Sequence, residues 1–353
     1  MNDFKNYTFI KKASLRPNKI VFYTQVIKPQ KEKTFEKPII TAETKAQMLE
    51  WGIGRMPITK SNEHNFEISK KAQNRVREKV TWLYELARNK TLTTKNNKVL
   101  INFKMNFITL TLPALQTHAT ADITANCLNQ FLTECKQKFN LENYVWRLEY
   151  QANGNAHYHI ATDTFLDYQD CKLIWNRCLK KLGYISRYQE KFSKMDFSEY
   201  CSLYNNTGKT ERNILWSRYS LGVASGWDSP NTVDVRSVSN SKNIASYISK
   251  YITKVSGVAL NPIVAEREPS STNLRLWFCS RSLSKLDSIE IFLDDPEPLP
   301  HQIIAGLQKV RKYIFDYCSV WYYNVKDQSN EMRAQFWHLF RQYSIEHNYV
   351  PAL

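Results

Sequence analysis

His157 and His159 stand one residue apart in "AHYHI" (156–160), and Glu149 lies eight residues before the first of them. On a strand, side chains at i and i+2 project to the same face, so His-x-His offers two imidazoles to one ion. A neighbouring strand must supply any third ligand, and Glu149 is the nearest carboxylate. Two imidazoles and a carboxylate leave coordination positions open, and this nitrogen and oxygen set accepts Mn²⁺, Mg²⁺ or Zn²⁺. A second constellation is "YISKYITK" (247–254). In a helix, residues four apart share a face, so Tyr247 and Tyr251 are neighbours, with Lys250 and Lys254 in a row beside them.

Neither spacing is decisive alone. Seven histidines in 353 residues give His-x-His about 0.1 times by chance, and twenty tyrosines give roughly one Tyr-x-x-x-Tyr. The competing readings are two sheet histidines satisfied by neighbours, and tyrosines that bury one stripe of an ordinary helix. A glutamate in the right phase and the doubled lysine carry more information.

The elements that position these residues follow from periodicity. "NFITLTLP" (106–113) alternates, with Ile108, Leu110 and Leu112 on one face and Phe107, Thr109 and Thr111 on the other. "YVWRLEYQ" (144–151) alternates too: Tyr144, Trp146, Leu148 and Tyr150 oppose Val145, Arg147, Glu149 and Gln151. A hairpin closed by a three-residue loop, Asn153-Gly154-Asn155, sets Glu149 across from His159 and Gln151 across from His157. A two-residue Asn-Gly turn would instead oppose Glu149 to Tyr158, on the wrong face. The metal reading therefore requires the longer loop or a bulge, with Gly154 or Asn155 at positive φ.

Helical patterns are expected at 121–139 and 168–182, a polar loop at about 202–213, and a strand "NTVDVRSV" (231–238) leading into the tyrosine helix. From Asn65 to Lys90, apolar Ile68, Ala72, Val76, Val80, Leu83 and Ala87 recur at helical steps, while Lys70, Lys71, Arg75, Arg77 and Lys79 form a basic side. The fold class is α+β: an antiparallel sheet with helices on one side and the other side open. Residues 1–60 read as a basic N-terminal arm that includes one strand, "KIVFYTQVI". Residues 61–285 read as the catalytic domain and 286–353 as a mainly helical C-terminal region.

Formal net charge is +16, and the excess is concentrated N-terminally, with 22 Lys/Arg against 9 Asp/Glu in residues 1–104. Neutralising phosphates releases condensed counterions, so a nucleic-acid partner is expected and a membrane surface is not. Seven cysteines form no Cys-x-x-Cys pair, which fits reduced thiols in a cytoplasm. No apolar run approaches the length of a membrane span, and a soluble, cytoplasmic protein is expected.

Taken in order, "FITLTLP", "AHYHI" and "YISKYITK" resemble the motifs of the HUH endonucleases, specifically the two-tyrosine rolling-circle replication initiators of small single-stranded DNA phages and related plasmids. The resemblance covers about residues 65–285, including "LWFCSRSLSK" (276–285), and departs at Ala156, where relatives commonly carry proline. It implies a ferredoxin-like, RRM-like sheet and metal-dependent nicking and joining of single-stranded DNA at a replication origin. Glu149, His157 and His159 would hold Mg²⁺ or Mn²⁺. Tyr247 or Tyr251 would form a 5′-phosphotyrosine, with Lys250 and Lys254 steadying phosphate or phenolate charge. Which tyrosine acts first stays open. Thr109, Thr111 and Arg147 on the polar strand face, and Arg75 and Lys79 on the basic helix, are candidate DNA contacts. A host helicase and DNA polymerase in a bacterial cytoplasm are the implied partners. "TGKT" (207–210) is no phosphate loop, because Leu203 stands where the first glycine is needed.

Two rivals remain at the level of sequence. One is a non-catalytic nucleic-acid binder on a similar sheet. The other is an oxygenase using two histidines and a carboxylate, which leaves the paired tyrosines and the basic excess unexplained.

Overall fold

Alternation of apolar and polar side chains builds the central strands, as the sequence pattern requires. The computed structural model describes residues 7–27, 68–93, 99–205, 210–238, 262–268, 274–294 and 298–352. In chain order its strands are β1 Thr8–Arg16, β2 Lys19–Ile27, β3 Lys90–Thr93, β4 Val99–Phe103, β5 Met105–Leu110, β6 Tyr144–Tyr150, β7 Ala156–Thr162, β8 Val233–Val238, β9 Trp277–Cys279, β10 Ile289–Phe292, β11 Arg311–Ile314 and β12 Cys318–Tyr322. They form two five-stranded antiparallel sheets and the β3-β4 ribbon. The chain is α+β and divides into two units, residues 1–64 with 288–335, and residues 65–287 with 336–353.

In the second unit the strand order is β8-β5-β7-β6-β9. Without the edge strand β9, this is a β-α-β-β-α-β chain, the ferredoxin-like arrangement. The first crossover helix runs as Thr120–Ile123, a π-helical turn Thr124–Leu128, and Asn129–Phe139. The second is Tyr168–Lys181, started by Asp167, whose side chain accepts from the Gln169 amide. Both pack on the sheet face carrying Ile108, Leu110, Trp146, Leu148, Tyr158 and Ile160, to which they contribute Phe131, Cys135, Ile174 and Trp175. Full burial of each large apolar side chain is worth about 1.5–3 kcal/mol. Trp175 also donates its indole N–H to the Thr111 carbonyl at 2.8 Å, pinning helix to sheet.

The opposite face is not open along its length. Phe107, Val145, Arg147, His159 and Ala161 are buried there, whereas Thr109, Glu149 and His157 keep partial exposure. Phe107, Val145 and Ala161 are the apolar members of that face, and they make it a second packing surface.

Helix Lys70–Leu86 forms where the periodicity put one, capped by the Ser69 hydroxyl, which accepts from the Ala72 amide at 3.2 Å. Its buried Trp82 meets the rings of Phe340 and Tyr343 at 5.1 and 5.5 Å. Between the second crossover helix and β8 lie three helices, Tyr184–Ser193, Phe197–Tyr204 and Arg212–Ala224. They close on a small core of Phe192, Tyr200, Leu215 and Trp227. The polar loop expected at 202–213 is thus cut from both sides. Asp196 and Glu199 form a capping box that starts one of the flanking helices.

In the first unit the order is β10-β1-β2-β12-β11. The strand expected at "KIVFYTQVI" is β2. Residues 286–353, expected to be mainly helical, hold helices Pro298–Gly306 and Asn330–Glu346 but also supply β10, β11 and β12. Strands of four or five residues are too short for their alternation to stand out. Among the described residues no helix is long and apolar enough to cross a membrane.

Candidate metal and nucleic-acid site

The hairpin register decides what Glu149 meets. Glu149 pairs with His157 and Arg147 with His159. The Gln151 amide donates to the Asn155 carbonyl at 2.9 Å and the Gly154 amide to the Gln151 carbonyl at 2.8 Å, with Gly154 at φ 79°. The connection is therefore Ala152-Asn153-Gly154, a three-residue loop ending in a left-handed residue. Its length matches the expectation, but its centre lies one residue earlier. Consequently Glu149 is not directly across from His159, nor Gln151 from His157. The reason is that the left-handed position must close the loop and glycine alone fills it without strain. A Cβ on Gly154 would also approach the Ile263 side chain to 3.2 Å. An odd-numbered loop preserves the faces, so Arg147, Glu149, His157 and His159 still share one.

On that face Glu149 reaches diagonally. Its Oε2 lies 3.3 Å from His159 Nε2, and its Oε1 makes an ion contact of 3.1 Å with Arg147 Nη1. The other His159 nitrogen, Nδ1, is 3.3 Å from Thr109 Oγ1, and Phe107 stacks on the ring at 5.4 Å. His157 stands edge-on to His159 with centroids 4.5 Å apart, and its Nδ1 is buried without a hydrogen-bond partner. Burial, reinforced by His159, lowers the His157 pKa to about 4 against the opposing pull of Glu149, so the ring is neutral at neutral pH. Burial pushes the Glu149 pKa up, but the His159 hydrogen bond and the Arg147 charge outweigh it and hold the carboxyl below its ordinary range. Burial lowers the Arg147 pKa, and Glu149 opposes the shift.

The donor types and their proximity fit a divalent ion, and His157 already presents an unused nitrogen. Even so, among the described residues no three His, Cys, Asp or Glu side chains form a ready ligand group. Glu149 is engaged by Arg147 and His159, so taking up an ion would mean exchanging the His159 bond for it.

The other expected site residues fall into three groups. Thr109 and Arg147 are tied into the site as described, and Thr111 donates to the Thr232 carbonyl at 3.3 Å. Lys79 Nζ donates to the Leu286 carbonyl and, at 3.3 Å, to that of Ser284, whereas Arg75 is exposed on the basic helix. Tyr247, Lys250, Tyr251 and Lys254 lie outside the described residues.

Sequence reasoning did not foresee the anchor beside the hairpin. Helix Pro262–Arg267 sets Ile263 against Gly154, and Arg267 Nη2 donates to the Gly154 carbonyl at 2.9 Å. Glu268 is buried and accepts the Thr120 amide at 3.1 Å and the Thr120 hydroxyl at 2.5 Å, capping the first crossover helix from a distant part of the chain. The acidic residue after "AER" was its only trace in the sequence.

Residues 105–256 match the family model for the replication-associated protein ORF2. No curated protein and no solved structure matches the chain. The matched span starts at β5, encloses the hairpin with its two histidines, and extends through Tyr247 and Tyr251. This likeness indicates a replication-associated protein, and it rests on the stretch that carries the site.

Proposed function

We propose that this protein initiates rolling-circle replication by cutting and rejoining single-stranded DNA through a tyrosine. The observation that carries the reading is the Glu149–His159 contact of 3.3 Å beside the unpartnered His157 nitrogen, within the segment that matches replication-associated proteins. In this reading Glu149, His157 and His159 hold Mg²⁺ or Mn²⁺. When bound, such an ion would polarise the scissile phosphate and offset charge gathering on its oxygens.

The chain's own groups supply the rest. A phenol has a pKa near 10 and attacks as its phenolate, which neighbouring ammonium groups favour. Lys250 and Lys254 are the cations nearest in sequence to Tyr247 and Tyr251. The phenolate oxygen bonds to phosphorus while the bond from phosphorus to the 3′ oxygen breaks. The tyrosine then carries the 5′ phosphate, and the departing 3′ oxygen takes up a proton. The phosphodiester energy is retained in the phosphotyrosine, so attack by a 3′-hydroxyl rejoins a strand without ATP. Neutral His157 keeps a lone pair available, and Thr109 fixes the orientation of His159. Unwinding and extension are assigned to a host helicase and polymerase.

A second reading, a non-catalytic binder of single strands, is favoured by one observation: the Glu149 oxygens are already engaged by Arg147 and His159. Incubation with labelled origin-like single-stranded DNA and Mn²⁺, followed by a denaturing gel, separates the two. The expected result is a covalent adduct abolished by prior EDTA and absent from the Tyr247→Phe, Tyr251→Phe double variant. No adduct with any DNA offered supports the binder, and an adduct that survives in the double variant rejects the assigned nucleophiles.

A further inference from the structure

The sheet of the first unit has two unlike faces. Paired residues in antiparallel strands share a face, so the register sorts them. Ala13, Leu15, Ile20 and Ile291 lie on one face and are buried. The other face runs through three rungs: Phe292, Lys12, Tyr23 and Cys318; then Glu290, Ser14, Val21, Val320 and Tyr313; then Arg16, Lys19, Tyr322 and Arg311. Phe292, Tyr313 and Tyr322 on this second face are 44–47% exposed. Tyr313 and Tyr322 meet edge to face at 5.7 Å, and the Lys12 ammonium lies 4.4 Å from the centre of the Phe292 ring.

Charge on this face is one-sided. Lys12, Arg16, Lys19 and Arg311 oppose one acid among its strand residues, Glu290, whose oxygens accept from Tyr23 at 2.5 Å and from Ser288 at 2.9 Å. Rings presented flat or edgewise on a sheet, about 6.8 Å apart along a strand and interleaved with cations, are what unpaired bases stack on while phosphates find positive charge. An apolar protein partner would desolvate the cations of the third rung without offering them a counter-charge. A duplex would hide its base faces from the rings.

We infer that this face is a second binding surface for single-stranded DNA, separate from the hairpin site, with Tyr313, Tyr322 and Phe292 as stacking platforms and Lys12 and Arg311 as phosphate contacts. The inference goes beyond the nicking reading and does not depend on it.

Fluorescence anisotropy of the full chain with a labelled oligothymidylate, in EDTA so that no strand is cut, tests it. The Tyr313→Leu, Tyr322→Leu variant is expected to bind about tenfold more weakly, while the Tyr313→Phe, Tyr322→Phe variant, which keeps both rings, binds like the parent. Lys12→Gln with Arg311→Gln is expected to reduce the slope of log affinity against log salt by roughly one to one and a half. Circular dichroism checks that each variant is folded. Equal binding by the Leu and Phe variants overturns the proposal, as does an equal loss of duplex affinity in the Leu variant. If nicking is never observed but these binding changes are, the surface stands and only the catalytic reading fails.

Discussion

Glu149 pairs across the hairpin with His157, yet its carboxylate contacts His159, with Oε2 3.3 Å from Nε2. The diagonal reach leaves the His157 Nδ1 unpartnered and gives His159 a bond at each ring nitrogen. One histidine is held in place by neighbours while the other keeps a donor unused.

Thr109 is therefore expected to govern ion binding without touching the ion. Thr109→Val removes the hydroxyl that meets His159 Nδ1, and outer partners of this kind are worth about 10–100-fold in metal affinity. Titration calorimetry with Mn²⁺ should show a loss in that range. An unchanged affinity would mean that the 3.3 Å contact does not orient the ring.

Gly154 sets the loop length and hence the face shared by Glu149 and the histidines. Gly154→Ala puts a side chain at φ 79° and within 3.2 Å of Ile263. The left-handed conformation alone costs about 1–2 kcal/mol, so thermal unfolding should move down by several degrees. A variant as stable as the parent would contradict both arguments.

Glu268 caps a helix to which it is not connected in sequence. In Glu268→Ala the Thr120 amide and the Arg267 guanidinium lose a buried carboxylate. A loss of about 1–3 kcal/mol is expected, read from urea unfolding. Glu268→Gln should recover part of it, because the amide oxygen still accepts from Thr120.

Asp163 carries the acid-base prediction. It is fully buried, and its Oδ2 accepts from Asn143, Tyr349 and Ala352 at 3.1–3.2 Å. Burial raises its pKa despite those bonds, and it raises that of Tyr349 as well, with Asp163 adding to that shift. A carboxyl whose pKa is higher when folded binds its proton more tightly in the native state. It therefore reduces stability as pH rises from the unfolded value of about 4 up to the folded value. Relative to the parent, Asp163→Asn should gain stability across that interval and hold the gain at higher pH. Melting temperatures measured from pH 3 to 8 check the direction, and a gain that shrinks as pH rises would reverse the assignment.

The sequence by itself determined the strands β5, β6 and β7, the two crossover helices, the basic helix capped by Ser69, and which residues share the histidine face. These depend on local periodicity, where a step of two or of three to four residues fixes a side chain's direction whatever the rest of the chain does. It also limited the hairpin to an odd loop, since parity alone decides whether Glu149 can join the histidines. The tertiary structure decided the rest. Which of two odd registers formed depended on where Gly154 could adopt its left-handed turn beside Ile263. Whether Thr109, Thr111, Arg147 and Lys79 were free for DNA depended on partners at His159, Thr232, Glu149 and Leu286, brought near only by folding. The pairing of β10 and β12 with strands some 270–310 positions earlier has no local signature, because a hydrogen-bonded edge selects its partner by position in space.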